Sequence, residues 1–148
     1  MIQIIEIISE TNLRAVYAKL GVQVMNIFYQ EFMTEDEFIA LFSGASHLYE
    51  VTKNDEPIGI VFLFAENPYA VKIGTAAYGE RAPFYDVLAA LDIIRKKLRK
   101  RGVTCLIAEV PAHKRNIRRL LPFLGFALSG CVESYFGEES LLIFSQKL

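Results

Sequence analysis

The chain has 148 residues, the usual size of one domain, and 53% of them are apolar, which is enough for one hydrophobic core. Sixteen Lys and Arg residues balance 17 Asp and Glu residues, so no global field draws the protein to nucleic acid or to an anionic membrane. The longest uncharged apolar stretch, Ile58 to Ala65, is too short to span a bilayer, and the N-terminus lacks a signal-peptide pattern. We therefore expect one ordered cytoplasmic domain over residues 1–148.

The two cysteines lie in apolar, strand-like runs, without a second Cys or a His at metal-ligand spacing. Cys105 and Cys131 are therefore interpreted as small buried hydrophobic residues. No metal site is predicted, and a reducing compartment fits the two thiols.

The first part of the chain predicts a strand followed by two helices. Ile2 to Ile8 is short and rich in β-branched residues, and Thr11 to Leu20 carries apolar residues at helical spacing before Gly21. Thr34 and Glu37 form a capping box, in which each side chain satisfies a free backbone amide at the start of the second helix.

Three strands are predicted next. Leu48 to Lys53 and Ile58 to Phe64 flank the polar segment Asn54 to Pro57, which predicts an antiparallel hairpin with its proline outside the ladder. The second of these strands has no polar face, which favours a central position covered on both sides. Ala70 to Tyr78 predicts a further strand, with Gly74 as a bulge.

The longest helix begins at Pro83 and ends before Gly102. Its apolar stripe consists of Phe84, Val87, Leu88, Leu91, Ile94 and Leu98. The remaining predicted elements are a buried strand at Thr104 to Val110, an amphipathic helix at Lys114 to Leu124 that ends at Gly125, and strands near Phe126 to Tyr135 and Ser140 to Ser145.

The order β-α-α-β-β-β-α-β-α-β-β predicts an α+β fold with a mixed central sheet flanked by helices. This order resembles the GNAT superfamily of acyl-CoA N-acyltransferases over essentially the whole chain. Two family signatures are matched, a glycine soon after the hairpin turn, at Gly59, and a short helix that closes on Leu124-Gly125-Phe126. The resemblance implies one GNAT-like domain that binds acetyl-CoA or another acyl-CoA.

In GNAT enzymes a loop of the form Gln/Arg-x-x-Gly-x-Gly/Ala holds the cofactor diphosphate at the start of the long helix. It aligns with residues 79–84, so that Gly79, Ala82 and Phe84 replace the amide or basic residue and the two glycines, while Pro83 removes one amide donor. Arg81 is placed to compensate through its side chain. In the alternative interpretation, Pro83 only starts a helix, Phe84 belongs to the core and Arg81 is solvated.

The family's general acid is a Tyr four residues before the Gly-Phe glycine, and that position is Leu121, which cannot donate a proton. Tyr78 and Glu109, at the ends of two predicted strands, are the remaining catalytic candidates, against the alternative that both are ordinary rim residues. Beyond the diphosphate loop, the resemblance places cofactor contacts at Ala76, Tyr78, Lys114 and Asn116.

Two basic clusters remain. The first, in the last turns of the long helix, is interpreted as a solvated face that offsets the helix dipole, and it consists of Arg95, Lys96, Lys97, Arg99, Lys100 and Arg101. The second opposes the dipole at a helix start, which predicts a bound anion such as the CoA 3′-phosphate, a nucleic-acid backbone or an acidic protein, and it consists of His113, Lys114, Arg115, Arg118 and Arg119. Because that cluster has no interleaved aromatic residues, nucleic acid is disfavoured.

The sequence thus predicts a diverged GNAT-type N-acyltransferase that transfers an acyl group, most simply acetyl, to the amine of a small molecule or a protein. The alternative is a catalytically inactive GNAT-fold protein that serves as a binding or structural module with a protein partner. A virus-encoded virion component, for example from a phage, would belong to that class. No membrane partner is expected in either case.

Overall fold

The computed structural model describes residues 1–21, 23, 33–43, 46–79 and 82–148. The predicted order of elements is confirmed within these ranges, with boundaries moved by a few residues. The elements are β1 (Ile2–Glu6), α1 (Glu10–Leu20), α2 (Glu35–Phe42), β2 (His47–Lys53), β3 (Glu56–Asn67), β4 (Ala70–Ala77), α3 (Phe84–Lys100), β5 (Cys105–Pro111), α4 (Arg115–Leu120), a 3-10 helix (Leu121–Leu124), β6 (Ala127–Phe136) and β7 (Glu139–Lys147).

The strands form a seven-stranded sheet in the order β1-β2-β3-β4-β5-β7-β6. Strands β4 and β5 pair in parallel, whereas the pairs β1/β2, β2/β3, β5/β7 and β6/β7 are antiparallel. The predicted α+β class with a mixed sheet is therefore confirmed. Contacts divide the chain into a first unit, Met1–Phe64 with Gly74–Ile94, and a second unit, Ala65–Ile73 with Arg95–Leu148. The single domain over residues 1–148 stays a prediction.

The core of the first unit joins helices α1 and α2 to strands β2 and β3. Each large apolar side chain buried there contributes about 2 kcal/mol relative to an exposed position. Phe38 of α2 is fully buried, and its ring lies 5.0 Å from that of Phe42 and 5.5 Å from that of Tyr17. The other buried members are Leu13, Val16, Leu20, Met33, Leu48, Ile60 and Phe62.

The predicted capping box at the start of α2 is confirmed. The Glu37 amide donates to Thr34 Oγ1 at 3.1 Å, and the Thr34 amide donates to Glu37 Oε2 at 2.9 Å. Both amides are satisfied by residues of the helix start itself, which is why the local sequence predicts this motif.

The hairpin between β2 and β3 is tighter than predicted. Asn54 and Asp55 form a two-residue turn with φ angles of 50° and 68°, a left-handed conformation that Asn and Asp tolerate better than most residues. The prediction that Pro57 stays outside the ladder is wrong, because it lies in β3 opposite Thr52. The register shifts between Val51 and Thr52, and such an irregularity is where a strand accommodates a residue without an N–H group.

Two glycines bring β3 and β4 close together in the first unit. A Cβ atom on Gly59 would overlap the carbonyl oxygen of Ala76, and one on Gly74 would overlap the ring of Phe62. We interpreted Gly74 as a bulge, whereas the structure gives a packing reason for it. Gly59, which the resemblance singled out, is needed for the approach of two backbones.

In the second unit, a Schellman motif ends α3 at Gly102, as the sequence predicts. The Val103 amide donates to the Leu98 carbonyl at 3.1 Å, and the Gly102 amide donates to the Arg99 carbonyl at 3.0 Å. Gly102 has a φ of 83°, which other residues rarely adopt.

The interpretation of Arg95 as part of a solvated face is wrong. Its Nε donates to Gln146 Oε1 at 2.5 Å, its Nη2 donates to the Leu124 carbonyl, and Gln146 Nε2 donates to the same carbonyl at 2.9 Å. Arg95 therefore satisfies the end of the 3-10 helix, because helix ends leave carbonyls that need donors.

Two burial predictions are also wrong. Cys131 is exposed because it lies on β6, the last strand in the sheet order, while Cys105 on β5 is half-buried. Phe84, which the alternative interpretation placed in the core, is 37% exposed because it lies in the first turn of α3, ahead of the turns that bury Leu91 and Ile94.

Among the described residues, no helix has the length and apolar character needed to cross a membrane.

We predict that Gly59→Ala destabilises the protein by about 3 kcal/mol, the upper part of the usual range for overpacking, because the obstacle is backbone and cannot rotate away. Urea denaturation measures this change. Gly130→Ala is the matched control, since a Cβ there meets its nearest neighbour, Ile143, at 3.9 Å. We expect the control to stay within about 0.5 kcal/mol of the parent. A Gly59→Ala variant as stable as Gly130→Ala would contradict the packing argument.

Candidate functional site

The carboxyl-terminal half of β4 is unusually accessible for an internal strand. In the neighbouring β3, five consecutive residues, Gly59 to Leu63, are buried. In β4, by contrast, Gly74, Ala76 and Ala77 are half-buried and Thr75 is exposed. Internal strands are normally covered on both faces, so this segment leaves small side chains and backbone open to a ligand.

At the end of this segment, Tyr78 is bonded to a carboxylate that the sequence analysis missed. The Tyr78 amide donates to the Ile58 carbonyl at 2.9 Å, which holds the residue against β3. Its hydroxyl donates to Glu50 Oε2 at 2.7 Å, and Lys19 Nζ donates to the same oxygen at 3.0 Å. Lys19 Nζ also lies 5.5 Å from the centroid of the Tyr78 ring. Lys19 from α1 and Tyr78 at the end of β4 therefore meet at one carboxylate oxygen of Glu50 from β2.

Burial of the hydroxyl and the adjacent Glu50 carboxylate raise the pKa of Tyr78 well above its usual range, with burial the larger cause. Ionisation would place a phenolate against a carboxylate in a partly desolvated position. Tyr78 therefore stays a phenol at neutral pH, and both burial and the Glu50 carboxylate oppose loss of its proton.

The turn after β4 leads to the start of α3. Gly79 is exposed with a φ of 71°, Ala82 is half-buried, and Arg81 lies outside the described residues. The Pro83 carbonyl accepts hydrogen bonds from the amides at positions 86 and 87, so the amides at 84 and 85 precede the helical ladder. The exposed Phe84 ring stands at this end, 5.7 Å from the ring of the next residue, Tyr85.

An acidic residue also lies at this helix start. Asp86, in the first turn of α3, accepts a hydrogen bond from Lys53 Nζ at 3.0 Å. A carboxylate is favourable at a helix N-terminus, but it competes there with any other anion. The Lys53 ammonium offsets this competition.

In the second unit, Glu109 is engaged in a charged network. Its Oε1 lies 2.8 Å from Lys72 Nζ, and Lys72 also pairs with Glu66 at 2.9 Å. The hydrogen bond to Glu109, followed by that to Glu66, raises the pKa of Lys72. The structure therefore shows a Glu109 carboxylate held by a lysine partner.

The basic cluster of the second unit has internal partners at two positions. The His113 amide donates to Glu139 Oε1 at 2.6 Å, and His113 Nδ1 lies 3.3 Å from that oxygen. Arg118 Nη1 donates to the Ala112 carbonyl at 2.8 Å. Lys114 precedes α4, and Asn116, its second residue, is exposed. An anion at this cluster stays a prediction.

The position of the family's general acid carries no proton donor. Leu121 is the first residue of the 3-10 helix and is 6% exposed, so it packs as an apolar residue.

Within the first unit, the structure brings together Ala76, Tyr78 and Gly79 along one strand and its turn. The residues that the sequence analysis missed are Glu50 and Lys19. One signal pointed to Glu50, a single acid in the middle of β2 between Tyr49 and Val51. A carboxylate at such a position needs partners, because burying an unpaired charge is costly.

We predict that Tyr78 stays a phenol in the folded protein at a pH where free tyrosine, with a pKa of about 10, is ionised. Absorbance at 295 nm follows phenolate formation. The native protein and Tyr78→Phe should then show the same alkaline amplitude, whereas in denaturant the parent should exceed the variant by one of its seven tyrosines. The raised pKa of Tyr78 stabilises the fold when the pH is below the pKa of this tyrosine in the unfolded protein. This contribution is lost as the pH rises through its pKa in the folded protein. A native difference of one tyrosine would contradict the prediction.

Comparisons with known proteins place this geometry in context. No family model matches the sequence, and no curated protein matches it. Solved structures match in fold along nearly the whole chain. A Salmonella typhimurium protein named as an acetyltransferase and solved with its cofactor acetyl-CoA has a TM-score of 0.78 and 13% identity, with 99% of this chain and 94% of that chain covered.

Two further structures match equally well. The Salmonella typhimurium acetyl transferase that modifies the N-terminal serine of ribosomal protein L7/L12 has a TM-score of 0.81 and 13% identity, with 99% and 95% of the two chains covered. A chimera of the spermidine N-acetyltransferase SpeG from Vibrio cholerae and hSSAT has a TM-score of 0.80 and 13% identity, with 99% of this chain and 95% of that chain covered. The chain therefore has the fold of the GNAT N-acetyltransferases.

Proposed function

We propose that the protein is a diverged GNAT-type N-acyltransferase that transfers an acyl group, most simply acetyl, from acyl-CoA to an amine. The observation that carries the proposal is the accessible carboxyl-terminal half of β4, which leads through Gly79 to the start of α3. A protein of the same fold was solved with acetyl-CoA, and the accessible backbone of β4 suits an extended ligand of this kind.

The residues of β4 suit an acyl-CoA chain. The segment from 74 to 77 reads Gly-Thr-Ala-Ala, so no side chain larger than Thr stands along it. Amide groups in the pantetheine arm can hydrogen-bond to the strand as another strand would. Ala76, Tyr78 and Gly79 are the cofactor-binding residues that we propose here.

The diphosphate end departs from the family pattern. Gly79 still permits a tight turn, and the two amides ahead of the α3 ladder face an anion favourably. Pro83 offers no N–H group, and the Phe84 ring replaces a glycine. We therefore propose weak diphosphate binding at Ala82 and Phe84, assisted by the Arg81 side chain.

Acyl transfer from a thioester to an amine removes one proton from the nitrogen and delivers one proton to the leaving sulfur. Leu121 cannot supply the second proton, whereas the Tyr78 phenol carries a proton at neutral pH. Because loss of that proton would leave a phenolate beside the Glu50 carboxylate, Tyr78 stays a catalytic candidate without an assigned proton-transfer role. Glu109, which pairs with Lys72, likewise stays a catalytic candidate without an assigned role.

The acceptor that we propose is an amine of a small molecule or a protein. The structural neighbours include enzymes named for spermidine and for the N-terminal serine of a ribosomal protein. These names give no support to the non-catalytic alternative. The contacts of Lys114 and Asn116 with the cofactor stay predictions of the resemblance, as does the cytoplasmic location.

The proposal predicts that acetyl-CoA binds the parent weakly and binds Phe84→Gly about tenfold more tightly. Removal of the ring restores the glycine of the family loop and lets the diphosphate approach two amides, a gain comparable to one hydrogen bond. Isothermal titration calorimetry measures the affinity. We expect the variant to lose about 0.5 kcal/mol of stability, because Gly is a poorer helix former than Phe.

The matched control is Tyr85→Gly, which carries the same loss of helix propensity at the next position of the same turn. Tyr85 is 80% exposed, and it lies just beyond the family loop, which ends at position 84. Its affinity for acetyl-CoA should equal that of the parent. An absence of acetyl-CoA binding in the parent and in a folded Phe84→Gly variant alike would reject the proposed function.

A further inference from the structure

We propose that Glu50 and Tyr78 form a subsite for a primary ammonium group, and that Lys19 occupies this subsite as an internal competitor. The identification of the external ligand as the acceptor amine rests on the proposed acyltransferase function. The subsite itself is defined by contacts inside the first unit and can be tested without acyl-CoA.

The contacts around Lys19 Nζ are those that bind an ammonium ligand. A carboxylate oxygen lies 3.0 Å away, and the Tyr78 ring lies 5.5 Å from the nitrogen to its centroid. A carboxylate supplies a charge-assisted hydrogen bond, and a ring supplies cation–π attraction, which is the usual combination for alkylammonium recognition. The same Glu50 oxygen accepts the Tyr78 hydroxyl at 2.7 Å, which orients both groups.

The two halves of this contact differ in how firmly they are held. Glu50 lies in the middle of β2, its side chain is 12% exposed, and Tyr78 packs against the first unit's core. The Lys19 side chain is 42% exposed, on the last turn of α1, with a flexible four-carbon stem. The receptor is therefore preorganised, and its occupant can swing into solvent.

Glu50 also has a physical need for a cation. Its own side chain is 12% exposed, so the carboxylate is partly desolvated. A charge in such a place is stable only with a partner. If Lys19 swings out, another ammonium restores the same pairing, so the two cations exclude each other.

A second ion pair of the first unit provides an internal comparison. Lys53 and Asp86 lie 3.0 Å apart with side-chain exposures of 45% and 13%, nearly the values of the Lys19 and Glu50 pair. For Lys53 the structure shows the carboxylate contact, whereas Lys19 has a carboxylate and an aromatic face. Removal of either lysine costs one positive charge and one exposed ion pair. Removal of Lys19 also leaves a carboxylate next to an aromatic ring.

The test is the binding of n-butylammonium, followed by NMR chemical-shift titration of the Glu50 and Tyr78 amides in the absence of CoA. We expect Lys19→Gln to bind this cation about fivefold more tightly than the parent. In the parent, the ligand must first displace Lys19 from one exposed ion pair and one cation–π contact. Lys53→Gln should bind it as the parent does. The neutral analogue n-butanol should not compete, and Lys19→Gln combined with Glu50→Gln should lose the binding.

Equal affinities of Lys19→Gln, Lys53→Gln and the parent would overturn the subsite, as would equal binding of n-butanol. Such a result would leave Lys19 as a surface partner of Glu50. The outcome is independent of the proposed function. Tighter ammonium binding by a Lys19→Gln protein that binds no acetyl-CoA would support the subsite and reject the acyltransferase. Acetyl-CoA binding without tighter ammonium binding in Lys19→Gln would support the acyltransferase and reject the subsite.

Discussion

The backbones of β3 and β4 approach each other so closely at Gly59 and Ala76 that no Cβ atom fits at position 59. This approach fixes where the end of β4 lies in the first unit. It brings the Tyr78 amide to the Ile58 carbonyl and the Tyr78 hydroxyl to Glu50. The accessible strand segment and the polar cluster at its end both follow from that one contact.

Local chemistry explains why much of the fold could be predicted from the sequence. The capping box at Thr34 and the Schellman glycine at 102 each act within a few residues, so the sequence pattern and the structure report the same hydrogen bonds. Pro57 was misplaced because the register shift that admits it depends on the partner strand. The burial of Cys131 and Phe84 was predicted wrongly because it depends on tertiary position. Cys131 lies on the last strand in the sheet order, and Phe84 lies in the first turn of its helix.

The candidate site was predicted less well, for a physical reason. Glu50 contacts Tyr78 across 28 residues and Lys19 across 31, and no local periodicity reports such pairs. The resemblance pointed to Tyr78 and the β4 end, because the family places its cofactor there. It could not point to Glu50 or Lys19, whose roles depend on side chains that this chain brings together by itself.

Leu121, Pro83 and Phe84 differ from the family pattern that the sequence otherwise resembles, although the chain has the fold of the GNAT N-acetyltransferases. A fold does not by itself establish an activity. The proposed function therefore depends on β4 as the cofactor strand. A cation site at Glu50 would set the acceptor class.

Hydrogen–deuterium exchange with and without saturating acetyl-CoA tests the role of β4 most directly. Amides that point away from β3 in residues 73–79 should exchange more slowly with the cofactor, because pantetheine bonded to the strand protects them. Peptides from the edge strand β6 should exchange equally in both samples and serve as the internal reference. Unchanged exchange across residues 73–79 at a concentration where acetyl-CoA is bound would contradict the assignment of β4 as the cofactor strand.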